Sequence, residues 1–280
     1  MMKIAILLTS TIRPQVMGAN FSVLERMEQY RSTLQYYAET IGKDYPIVLV
    51  ENSDIDLSVW KEEFKDSLQL EILQFTPPQL LVSNDEGESH LQKETTEKED
   101  YGFDNCKGKG YNEYLMIKLA LQRSQALQSC SHFLKITGRY PMLNIKEMLG
   151  EMEKRGRDKV MMCDVKEFRL YEKLRGTSYG SRWGDSRYFL MSVDFYKNHL
   201  MDCYQAMDDR VYGKYAEDYI YQLSCKYRKD PRFCYRFRHQ VQFGGQSGDA
   251  IFDERYASFK NQLKNKVRRV LRILFPNVWF

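Results

Sequence analysis

Apolar residues recur along this chain in two rhythms. Short continuous runs, such as Ile4 to Leu8, Ile47 to Val50 and the Phe133, Leu134, Ile136 group, suit strands buried on both faces of a sheet. Between them, apolar positions return at steps of three and four, as on one face of a helix. Val23, Met27, Tyr30, Leu34, Tyr37 and Ile41 predict a helix over 22–40, with Gly42 as its C-cap. The same reading gives strands over 3–8, 46–53, 70–75, 133–137, 159–164 and 188–193. It gives helices over 56–68, 111–130, up to 155 after a turn at Pro141, 194–207 and 217–226, with 233–243 as a further strand. Strand, helix, strand, helix, strand is the order of a parallel sheet with right-handed crossovers. The expected fold class is α/β: an open, mostly parallel sheet of Rossmann-like units flanked by helices.

Two stretches break the pattern. Residues 84–104 carry eight Asp/Glu against two Lys and few apolar side chains, which predicts a mobile acidic insertion in the main domain over 1–250. From Tyr256 onward Phe259, Leu263, Val267, Val270, Leu271 and Leu274 return at helical spacing beside Lys260, Lys264, Arg268 and Arg272, so 251–280 reads as a basic amphipathic helix. An apolar face beside a basic one, followed by Trp279 and Phe280, fits an interfacial helix on an anionic membrane; packing on the domain with a solvated basic face is the other reading.

Charge follows this division. The formal net charge is +4, yet residues 256–280 alone hold six Lys/Arg and no Asp/Glu, so the body is slightly acidic. A nucleic-acid partner is therefore not expected. The six cysteines are isolated, without CxxC spacing, which argues against a zinc knuckle or disulfide framework and for a reducing compartment. No run reaches the length of a membrane span, and Met1 to Leu8 reads as a first strand rather than a signal peptide.

The candidate chemistry gathers at strand ends, where open α/β sheets bind ligands. Lys135 and Arg139 flank Gly138 at the end of the 133–137 strand and form a candidate diphosphate grip. Gly138 is expected to end that strand through a positive φ. Solvation of the two cations, or pairing with acids, is the alternative. Lys109, in the Gly- and Lys-rich stretch before the 111–130 helix, is a second anion candidate. Glu113 near the start of that helix is a candidate substrate contact, although an acid is favoured there on structural grounds alone; Glu217 and Asp218 at the start of the 217–226 helix are candidates for the site or simple helix caps. Asp185 and Arg187 lie in a polar loop and suit either a ligand or a surface ion pair. His239 is expected to be structural or solvent-facing.

Taken in order, Thr9 to Ile12, Val50 to Ser53, Gly110 to Glu113, Lys135 to Tyr140, Asp185 to Phe189 and Ala216 to Asp218 resemble the bacterial sugar transferases of the GT-A type from capsule and lipopolysaccharide biosynthesis. The resemblance covers about residues 1–250. It implies a nucleotide diphosphate sugar as donor and a glycan or glycolipid precursor as acceptor. It places Thr9, Arg13, Glu51 and Asn52 along base and ribose, and gives Asp218, with Glu217 beside it, the role of base toward the acceptor hydroxyl. Most such enzymes carry an Asp-x-Asp motif for a divalent metal where this chain has Lys135 to Arg139. That departure favours catalysis without a metal, with cations stabilising the leaving diphosphate. A cytoplasmic protein, peripheral on the inner face of the plasma membrane, is the implied setting. A non-catalytic, membrane-associated scaffold of a polysaccharide assembly is the competing class.

Overall fold

The computed structural model describes residues 2–14, 21–76, 100–168, 172–174, 176, 181–244, 246–247, 250–251 and 259–275. Most of the acidic insertion, Arg169, Arg175, Tyr256, Trp279 and Phe280 lie outside them.

A seven-stranded sheet forms the centre. Its members are β1 (Ile4–Ser10), β2 (Ile47–Glu51), β3 (Leu70–Gln74), β4 (His132–Thr137), β5 (Met161–Met162), β8 (Tyr188–Ser192) and β9 (Phe233–Cys234). The order is β3-β2-β1-β4-β8-β5-β9. All run parallel except β8, which pairs antiparallel with β4 on one side and β5 on the other. A small ribbon of β6 (Val165–Glu167) and β7 (Arg182–Gly184) stands beside it. The chain is thus α/β with a mostly parallel sheet, and the polar segment around Ser181 contains a strand that its sequence does not announce.

Every residue of β1 and β2 is buried. Period-two alternation sends Ile4, Ile6 and Leu8 into one core and Ala5 and Leu7 into the other. The first core is covered by α1 (Val23–Thr40), α2 (Ser58–Phe64) and α5 (Ile145–Arg155). The second is covered by α3 (Lys109–Arg123), α6 (Val193–His199) and α7 (Ala216–Lys226). Helices on both faces are what a sheet with two apolar faces requires.

Three expectations on element bounds need correction. The helix expected over 111–130 breaks at Ser124, whose extended backbone starts a separate short helix, α4 (Gln125–Gln128). Glu71 of β3 accepts from the Ser124 hydroxyl at 2.6 Å and from the backbone N–H groups of Gln125 and Ala126, both at 3.0 Å, so the break is capped by a carboxylate. The helix expected over 194–207 ends at His199, and a 3₁₀ turn over Cys203–Ala206 follows. Of the strand expected over 233–243, only Phe233–Cys234 and an isolated bridge from Phe243 to Met142 pair. All six cysteines are free.

The last helix, α8 (Phe259–Leu274), turns one arginine inward. Arg272 is 8% exposed. Its Nη1 lies 2.9 Å from Asp164 Oδ2 and donates to the carbonyl of Phe237 at 3.1 Å. The opposite face is open: Leu263, Val267, Val270, Ile273 and Leu274 are all more than half exposed. Among the described residues, no helix is long and apolar enough to cross a membrane.

Candidate active site

Strand order reverses between β1 and β4, and in such sheets the crevice beyond the carboxyl ends at that point is the ligand site. Six strands deliver their carboxyl ends to this edge. The antiparallel β8 delivers its beginning, so Asp185, Ser186 and Arg187 arrive at the same edge by running the other way.

On the α3 face the edge is tied by one buried ammonium. Lys135 is 0% exposed, because it follows Phe133 on the face that α3 covers. Its Nζ lies 2.7 Å from Glu113 Oε1 and donates to the Ser186 carbonyl at 2.7 Å and to Thr137 Oγ1 at 3.2 Å. Glu113 Oε1 also accepts from Thr9 Oγ1 at 2.6 Å and from Thr137 Oγ1 at 3.3 Å. An ammonium has three N–H donors, and all three are committed. Of the two readings open for Lys135, this arrangement is pairing with an acid. The line continues through Ser186, whose hydroxyl donates to Glu217 Oε1 at 2.6 Å. One chain of contacts thus links the ends of β1 and β4, the start of β8 and the start of α7.

Asp218 sits one residue further on and does something else. Its Oδ2 accepts from the backbone N–H of Tyr215 at 3.1 Å, closing the first turn of α7. Of the Glu217–Asp218 pair, Glu217 is therefore the member joined to the buried line.

On the α1 face the groups are different. Glu51, at the end of β2, is fully buried. Its Oε1 accepts from the Ile12 N–H at 2.9 Å and from the Ser53 hydroxyl, while Oε2 has no partner. Burial raises its pKa, against hydrogen bonds and the nearby Arg26 charge that lower it. Asn52 Oδ1 accepts from Thr11 Oγ1 at 2.7 Å, and Arg13 pairs with Asp54 at 2.7 Å. Arg139 donates to the Tyr140 hydroxyl at 2.8 Å and lies near the Phe21 ring, 5.9 Å from its centroid. Gly138 does not adopt a positive φ, correcting the expectation. It is required by space instead: a Cβ there would stand 3.0 Å from the Thr9 carbonyl oxygen and 3.2 Å from the Tyr30 ring.

The remaining expected residues lie at the margins. Asp185 holds Arg187 through two hydrogen bonds to its side chain, at 2.8 and 2.5 Å. Burial pushes the Asp185 carboxyl up, but the charge and hydrogen bonds of Arg187 outweigh it and leave the pKa below the ordinary value. Lys109 carries an exposed side chain at the start of α3. The N–H groups there do not face an open anion site, because Asp209 Oδ2 already accepts from Lys109 N at 2.6 Å and from Gly110 N at 3.4 Å. His239 uses its backbone N–H on Glu151 at 2.8 Å.

Several participants were not singled out from sequence. Ser186, Thr137 and Thr11 are small polar residues with nothing in their spacing to mark them. Arg26 left a signal: a cation four residues before the inward Tyr30, on the stripe where apolar residues are expected. Asp164, at the end of a strand run, gathers Tyr188, Phe237 and Arg272 rather than a ligand.

Among the described residues, no group of three or more His, Cys, Asp or Glu side chains could hold a metal ion. The end of β4 carries Lys135, paired with Glu113, and Arg139, bonded to the Tyr140 hydroxyl.

No protein-family model matches the chain, and no curated protein matches it in sequence. Solved structures match it at low similarity. *Staphylococcus aureus* TarS 1-349 superposes with a TM-score of 0.42 at 12% identity, over 86% of this chain and 60% of that one. Mouse xyloside xylosyltransferase 1 gives 0.45 at 9% identity, over 94% and 92% of the two chains. Core-mannan synthase A of Aspergillus fumigatus, solved in an Mn/GDP form, gives 0.47 at 12% identity, over 98% and 85%. The chain thus spans three-fifths of the TarS fragment.

Proposed function

We propose that the chain is a glycosyltransferase that moves a sugar from a nucleoside diphosphate donor to a cell-surface glycan precursor of the capsule, O-antigen or lipopolysaccharide kind. The observation that carries this reading is the line of contacts from Thr9 through Glu113, Lys135 and Ser186 to Glu217, laid along the carboxyl edge at the strand-order reversal. A structural scaffold has no need to gather these groups there.

In this reading the donor lies across the ends of β1, β2 and β4. Thr9, Arg13, Glu51 and Asn52 border base and ribose, Arg139 faces the diphosphate, and Asp185 with Arg187 flanks the sugar. Lys109 stands at the rim. Lys135 is not a direct grip, since its donors are spent inside the protein; it fixes Glu113 and Ser186 and adds a positive potential beneath the leaving group. Glu217 takes the acceptor hydroxyl proton as the bond from the sugar to the diphosphate breaks and the new glycosidic bond forms. Asp218 caps α7. Arg139 at the end of β4 offsets the charge of the leaving diphosphate, the part a metal would otherwise play.

The exposed apolar face of α8, with Lys266, Arg268 and Arg269 also exposed, supports attachment to an anionic membrane surface on the cytoplasmic side, where a lipid-linked acceptor would be presented. A thermal-shift screen of nucleotide sugars, with and without Mn²⁺, tests the reading. The right donor raises the melting temperature by mass action without added metal. A shift seen only with Mn²⁺ overturns the metal-free mechanism, and no shift with any nucleotide sugar or nucleoside diphosphate overturns the transferase.

A further inference from the structure

Two guanidinium groups, those of Arg26 and Arg139, flank Tyr30 near the ends of β1 and β4 without a carboxylate at salt-bridge distance among the described residues. Arg26 stands in the first turn of α1, and its Nε donates to the Thr11 carbonyl at 2.9 Å; Nη2 donates to the same oxygen. Arg139 follows β4 and, among the described residues, hydrogen-bonds only to the neutral Tyr140 hydroxyl. The two are brought together by Tyr30. Its hydroxyl accepts from the Thr11 N–H at 3.0 Å, and its ring lies against Gly138. Arg26 is one helical turn before Tyr30 on the same face of α1. Among the described residues, neither arginine has a carboxylate within salt-bridge distance, although most other arginines of the body do.

Holding two half-buried like charges together without a counter-charge costs stability, and a protein keeps such a pair where an anion arrives to relieve it. The Arg139 charge is felt at Arg26. Burial holds Arg26 below the ordinary guanidinium value; Tyr30 pulls it back, and Arg139 pushes it in the same direction as burial. The acid felt at Arg26 is the buried Glu51, whose Oε1 is taken by Ile12 and Ser53 and which makes no salt bridge to Arg26. Nη1 of Arg26, together with Nε and Nη1 of Arg139, is left to donate.

We infer that Arg26 and Arg139 form a two-arginine clamp for a diphosphate group, with Arg26 the member that no sequence motif marks. The inference rests on the donor reading above for the identity of the whole ligand, but not for the anion itself. Thr11 positions the clamp, because its carbonyl aims the Arg26 fork toward the end of β4.

Isothermal titration with inorganic pyrophosphate and with a panel of nucleoside diphosphates tests it, using the full chain and Arg26→Gln, Arg139→Gln and Arg26→Lys variants. Arg31→Gln, on the same helix but paired with Glu63 at 2.5 Å, is the control. Each Gln variant is expected to weaken both ligands about tenfold or more, the loss of a charge-assisted contact. Arg26→Lys recovers part of the loss for pyrophosphate, and Arg31→Gln changes neither ligand. Near-ultraviolet circular dichroism confirms that the variants remain folded. If a nucleoside diphosphate binds the Gln variants as tightly as the wild type, the clamp is overturned while the donor reading stands. If pyrophosphate binds through the pair yet no nucleotide sugar is turned over, the clamp stands and the transferase reading falls. If wild-type protein binds neither ligand, the clamp is overturned outright.

Discussion

Glu113 and Lys135 lie 2.7 Å apart across the junction of α3 and β4, and the lysine is wholly enclosed. A buried pair of this kind stabilises little beyond an apolar equivalent, but either half alone is costly. Lys135→Met leaves Glu113 without its counter-charge and is expected to cost about 3–5 kcal/mol. Adding Glu113→Gln to Lys135→Met should return part of that loss. Chemical denaturation of the two single variants and the double variant measures the coupling, and strict additivity would contradict the pairing.

Glu217 and Asp218 should separate in kinetics. Glu217→Gln is expected to lower kcat by about 10²–10⁴-fold, the range for loss of a positioned base, with little change in melting temperature. Asp218→Asn is expected to cost about 1 kcal/mol of stability through the weakened cap, with a smaller effect on kcat. Transfer assays paired with thermal melts read both, and the reverse pattern would restore the base role to Asp218.

Glu51 gives the site a pH signature. Its folded pKa is raised by burial above the reference 4.5, so the folded state holds this proton more tightly than the unfolded chain. The resulting stability is fully present below the unfolded value and is lost as pH rises through the folded one. Denaturation midpoints measured upward from pH 4.5 should fall over that window in the wild type, and Glu51→Gln should flatten this part of the profile.

Gly108 has a φ of +93°, and a Cβ there would meet Asp209 Oδ2 at 2.4 Å. Gly108→Ala is therefore expected to destabilise by about 1–3 kcal/mol, combining left-handed backbone strain with displacement of the carboxylate that caps α3. Asp209→Ala alone should cost about 1 kcal/mol. Melting temperatures of the two variants test the order.

The outward face of α8 predicts membrane binding separable from folding. Val267→Glu with Val270→Glu alters side chains 51% and 54% exposed, so the melting temperature should hold. Co-sedimentation with anionic vesicles should fall about tenfold or more, since burial of a Val side chain contributes about 1.5–3 kcal/mol. Unchanged sedimentation would assign the face to another partner.

Much of the sheet was legible because buried parallel strands leave continuous apolar runs, and β1, β2 and β4 are such runs. The direction of β8 was not legible. Tyr188 to Val193 reads equally well either way, and only the register, from His132 opposite Ser192 to Ile136 opposite Tyr188, shows that it runs against β4. That direction places Ser186 beside Lys135, so the partner of the most conspicuous lysine could not be named in advance. Lys135 itself was visible as a strand-end cation. Its burial was not, because the aliphatic stem of lysine looks the same in sequence whether its ammonium meets water or Glu113. Arg26 was passed over because a charged residue within an amphipathic stripe reads as a boundary of the stripe.

The reversed strand also dictates when the site can exist. Lys135 waits for a carbonyl 51 residues further along the chain, and Asp164 for an arginine 108 residues further. The ends of β1 and β4 can meet once the chain has reached residue 139, but one N–H of the ammonium then lacks its acceptor until Ser186 docks. Assembly of the edge is therefore governed by closure of long loops, which is slow compared with forming the helices on either face. A chain cut before β8 would keep its apolar strands and lose the reason for enclosing a charge among them.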